Sequence, residues 1–107
     1  MSSIQPPAQA PRDPTEAYRA ERARLLVAFG EKLRAARERR SLSQEALADV
    51  VNVHRTHVGA LELGQREPGL AMLLILAHGL EVSPGALLEG LSVPIERKAP
   101  THSKRAP

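Results

Sequence analysis

A chain of 107 residues with 42% hydrophobic content can bury one modest core, so a single domain with flanking arms is the organisation to expect. Cysteine is absent, which excludes disulfides, thiolate metal sites and a cysteine nucleophile and fits a reducing compartment. The net charge of +3 invites an acidic partner, yet positions 29–91 carry seven Lys or Arg against eight Asp or Glu, and the excess sits in positions 92–107, with four bases and one acid.

Aromatics are only 2%, no strand-length run alternates apolar with polar residues, and Ala, Leu, Glu and Arg dominate; the fold class expected is all-α. Residues 1–12, with Pro6, Pro7 and Pro11, form an arm expected to be disordered, and being polar instead of basic and then apolar they do not resemble a signal peptide. No run of about 18 apolar residues offers a membrane span. A cytoplasmic protein without membrane contact is expected.

Asp13, Pro14 and Glu16 make a helix start, with a cap, a proline suited to the first position and a capping-box acid three residues on. The helix is predicted to run to about Arg40. Its first part, residues 13–28, is a helical extension, and the core stripe Phe29, Leu33, Ala36 begins the domain proper at 29–91. Gly30 at the junction lowers helix propensity by about 1 kcal/mol, which leaves open two helices instead of one.

Ser43 caps a short helix to Val51, and Asn52 is suited to the left-handed conformation that ends it, letting Val53 turn into the core. The next helix spans His54–Leu63, with Val58 and Leu61 inward, and Gly64 stops it. A loop with Pro68 leads to a helix from Leu70 to His78, with Leu73, Leu76 and Ala77 in core positions, and a last one from Pro84 to Glu89 capped by Ser83. Residues 92–107 form a basic, flexible tail.

Two helices joined by so tight a turn between Gln44 and Glu62 must cross steeply and leave the second exposed at one edge, where it can enter a DNA major groove. On that second helix Arg55, Thr56 and Gly59 lie opposite Val58 and Leu61. Arg55 matches the paired acceptors O6 and N7 of guanine, and Thr56 suits a thymine methyl or a phosphate. Gly59 and Ala60 offer almost nothing to read, so specificity would lean on DNA shape. His54 and His57 are spaced like a metal pair, but no third ligand stands at a familiar distance in sequence; contacts with phosphate or solvated side chains are expected, and no metal or other cofactor.

The run Phe29-Gly30-Glu31-Lys32-Leu33-Arg34-Ala35-Ala36-Arg37, the block Leu42-Ser43-Gln44-Glu45-Ala46-Leu47-Ala48, and Leu61-Glu62-Leu63-Gly64 followed by Pro68 together resemble the phage repressor and Cro (XRE) class of helix-turn-helix regulators. His54-Arg55-Thr56-His57 is similar to a run common in bacterial members, including restriction-modification controller proteins. The resemblance covers about 60 of the 107 residues. It implies a five-helix, repressor-like fold, a regulator that is not an enzyme, and a homodimer on double-stranded DNA at a repeated or palindromic site. It further implies that Gln44, at the amino end of its helix beside Ser43, contacts phosphate, and that Arg37 and Glu62 form a partly buried ion pair steadying the recognition helix. Leu63 departs from the polar residue relatives carry there, with Gln65 and Arg66 expected to take over its phosphate contact. Met72, Ile75 and Leu91, apolar beyond the needs of the core, are the expected dimer interface, with the extension as a rival surface. The alternative is a protein-interaction module, antitoxin-like or an adaptor subunit, in which the same fold binds DNA weakly or not at all.

Overall fold

The computed structural model describes residues 14–93; the arm at 1–12, the Asp13 cap and the tail beyond Val93 lie outside the described residues. Five helices follow in chain order: α1 Pro14–Arg39, α2 Gln44–Val51, α3 Arg55–Glu62, α4 Leu70–Leu80 and α5 Pro84–Leu88, with no strand among the described residues. The expected bounds hold within a residue or two. Of the two organisations left open at Gly30, the single unbroken helix is the one observed, and α4 runs two residues past His78.

Gly30 has a packing reason. A methyl group there would collide with the carbonyl oxygen of Glu62 and come within 2.7 Å of that of Leu61, so the missing side chain is what lets α1 lie against the end of α3. The propensity lost inside the helix is offset by this close contact.

The first four helices end in one way. Ser41, Asn52, Gly64 and Glu81 adopt φ of 58°, 61°, 76° and 60°, and the residue after each donates its amide back across the last turn: Leu42 to Arg37, Val53 to Ala48, Gln65 to Ala60 and Val82 to Ala77, at 2.9–3.1 Å. Leu42, Val53 and Val82 then pack half-buried on the core, so the reversals after α1, α2 and α4 are held by side-chain packing as well as by hydrogen bonds. Ser43 and Ser83 cap α2 and α5 by accepting from the amides of Ala46 and Ala86, at 2.9 and 3.2 Å.

Every helix contributes to one core: Leu33 from α1, Leu47 from α2, Val58 and Leu61 from α3, Leu76 and Leu80 from α4 and Leu87 from α5 are fully buried. Burial of each contributes about 1.5–3 kcal/mol. Phe29, Ala36 and Ala77 fill the expected core positions, and Leu73 packs against them half-buried.

The extension belongs to this body at its base. Leu26 is buried, Arg22 pairs with Glu67 at 2.8 Å, and Arg24 donates to the carbonyl of Ser92 at 2.7 Å.

Candidate nucleic-acid interface

The turn at Asn52 sets α2 and α3 against each other, and an ion pair beneath them fixes the second helix. Arg37 Nε and Nη2 donate to the two carboxylate oxygens of Glu62 at 2.5 and 3.0 Å, and Nη1 donates to the carbonyl of Leu42 at 2.8 Å. Both residues are buried, at 9% and 8% exposure. The hydrogen bond to Glu62 holds the guanidinium above its ordinary pKa, against the opposing effect of burial. Gln44 Nε2 adds a donor to Glu62 Oε1 at 2.9 Å, leaving its second amide hydrogen for another acceptor. One carboxylate therefore ties α1, the start of α2 and the end of α3 together.

Above this network lies an open cleft of about 460 Å³ whose floor is Arg37, Gln44 and Glu62 and whose wall is the outer face of α3, Arg55, Thr56, Gly59 and Ala60. Arg55 and Thr56 are exposed; Gly59 and Ala60 are half-buried. His54 occupies the N-cap of α3 without a side-chain cap bond, so the first amides of the helix face outward uncapped, and an anion there would meet them and the positive end of the helix together. At the start of the neighbouring helix Ser43 caps the amide of Ala46, and the amides of Gln44 and Glu45 lie beside the Gln44 side chain. His57 is half-buried, Gln65 lines the cleft, and Arg66 is exposed on the loop beyond. No group of three His, Cys, Asp or Glu side chains suited to a metal exists among the described residues.

Two cleft residues were not assigned from the sequence. Arg34 stands at the rim, paired with Glu38 at 3.0 Å in solvent; its position three residues before Arg37, on the same face of α1, is the signal that could have marked it. Leu63, noted only as a departure, projects into the cleft at 67% exposure.

The face expected to pair subunits is different in detail. Of the three residues expected at an interface, Met72 and Leu91 pack half-buried against the domain's own core and Ile75 is exposed. A methyl at Gly79 would lie 2.8 Å from Val51, so this glycine serves the contact of α4 with α2. The outward residues of α4 are Leu70, Ala71, Leu74, Ile75 and His78, an arc of about 140° that is apolar apart from the histidine.

Residues 33–87 match the helix-turn-helix family model HTH_3, half of the chain. The chain belongs to the helix-turn-helix family. Over 60 residues it is 41% identical to the control protein C.SmaI of Serratia marcescens, covering 56% of this chain and 71% of that one. Over 62 residues it is 39% identical to YonR, an HTH-type transcriptional regulator from the SPbeta prophage of Bacillus subtilis strain 168, spanning 58% of this chain but only 57% of the relative. Among solved structures, the restriction-modification controller protein C.AhdI from Aeromonas hydrophila is 44% identical, with a TM-score of 0.57 over 58% of this chain and 94% of that one. This helix-turn-helix protein is thus a DNA-binding regulator of the controller or XRE type, not an enzyme. No helix among the described residues is long and apolar enough to cross a membrane.

Proposed function

We propose that the protein is a sequence-specific transcriptional regulator that binds a repeated or palindromic DNA site as a homodimer, with α3 in the major groove of each half-site. The observation that carries this reading is the pairing of an exposed Arg55 with an uncapped helix start on a helix held by buried ion-pair geometry. Arg55 reads guanine and the two helix starts, with Gln44, grip phosphate on either side of it. Ser43, His54, His57, Gln65 and Arg66 complete the backbone contacts, Thr56 meets a thymine methyl or a phosphate, and Gly59 and Ala60 let the helix lie close without reading a base.

Dimerisation is supported by α4. Its sequence is apolar on every side but for His78, yet the arc through Leu74 and Ile75 is exposed at 47% and 44%. A second copy covering that arc would place two α3 helices on one DNA face and convert two weak half-sites into one specific site.

The test is selection of bound duplexes from a random pool at a stated salt concentration. Enrichment of a site with two related half-sites supports the proposal. A pool that stays random would leave the protein-interaction module, which the mute Gly59, Ala60 and Leu63 favour, as the better reading.

A further inference from the structure

An apolar groove of about 590 Å³ runs along the first half of α1, away from the cleft at α3. Ala17, Tyr18, Leu25 and Leu26 form its floor, and Val93 forms part of its wall. Its charged neighbours are already engaged: Arg22 with Glu67 and Glu21 with Arg24, both at 2.8 Å. Nothing about it calls for an ionic ligand. Tyr18 stands 64% exposed at the groove, an unusual place for the single tyrosine of a chain with no tryptophan.

The path of the chain points to an occupant. After α5 the backbone runs back along α1: Leu91 lies by Ala28 and Lys32, the carbonyl of Ser92 is held by Arg24, and Val93 enters the groove. Val93 precedes Pro94, and the ring of a proline pushes the residue before it into extended backbone. In extended backbone, residues two apart face the same side, so an extended continuation would turn Ile95 to the side that Val93 faces. Two extended residues span roughly 7 Å, the length of four or five positions along a helix such as α1.

We propose that the groove is the seat of the chain's own segment Pro94-Ile95, with the Ile95 side chain under the Tyr18 ring. The segment then acts as a strap that fastens the extension to the domain, and the basic residues from Arg97 onward depart from the amino-terminal half of α1.

Because Tyr18 is the sole tyrosine and tryptophan is absent, intrinsic fluorescence reports this contact alone. Acrylamide quenching is measured on the full chain, on Ile95→Asp and on Ala99→Asp as a control beyond the groove, with the helical circular dichroism signal checked for each. The expected result is a quenching constant that is low in the full chain and the control at all protein concentrations, and several-fold higher in Ile95→Asp with the helical signal retained. Equal quenching in all three proteins would overturn the proposal. So would protection that grows with protein concentration, which would assign the groove to a second copy. If Ile95→Asp loses its helical signal, magnetisation transfer between the Ile95 methyls and the Tyr18 ring in the full chain decides: its presence upholds the strap and its absence removes it.

Discussion

Arg37 and Glu62 meet side-on, two guanidinium hydrogens on two carboxylate oxygens, and this pair joins the long first helix to the end of the helix proposed to read DNA. Removing one partner would leave the other buried and charged with no counterion. Arg37→Ala is therefore expected to lose about 3–5 kcal/mol of stability in urea unfolding. A loss within the range of a surface substitution would show that the pair is dispensable.

Two glycines should respond to alanine in opposite directions. Gly30→Ala forces a methyl into the carbonyls of Leu61 and Glu62 and should cost about 1–3 kcal/mol or more, the range of an overpacked core. At Gly59 the new methyl would rest 3.5 Å from Gln44 Oε1, an ordinary contact, so Gly59→Ala should add up to about 1 kcal/mol through helix propensity alone. Thermal melts of the two variants check both; the same sign in both would contradict the packing described.

Arg40 pairs with Glu81 at 2.9 Å and holds its carboxyl below the ordinary pKa of a glutamate. A lowered folded value makes the pair favourable above the ordinary carboxylate pKa and removes that benefit as pH falls through the lowered one. Both side chains are exposed, so the benefit is small and screened by salt. Glu81→Gln should melt slightly below the wild type at neutral pH and low salt, and the gap should close in acid and at high salt. A gap that persists in both conditions would mean that Glu81 acts otherwise, through its left-handed backbone.

Ile75→Glu places a charge in the exposed arc of α4. Sedimentation should show a monomer that keeps its helical signal and loses specific DNA binding. A variant that stays dimeric would move the contact to another surface.

The helix-turn-helix pair was legible because its punctuation is local: Ser43 caps, Asn52 takes a left-handed turn and Gly64 ends α3. The left-handed turns after α1 and α4 were less so, since Ser41 and Glu81 are not residue types that announce that conformation, and what holds them there is the packing of Leu42 and Val82 on the core. Gly30 left a break open because propensity is local, whereas its reason lies in the carbonyls of a helix about thirty residues away in sequence. On α4 an all-apolar sequence has no polar face to set its phase, so Met72 could not be told from Leu74 until packing placed the first inward and the second outward.

The proposed reading of DNA rests on Arg55 more than on any other side chain. Fluorescence anisotropy of the selected duplex, titrated with wild type and Arg55→Ala at one salt concentration, measures its contribution directly. Arg55 is exposed and its removal should leave the fold intact, so a loss of about 1–3 kcal/mol on the selected site, with nonspecific binding reduced far less, is expected. Equal affinity of the two proteins for that site would contradict the assignment of α3 as the recognition helix.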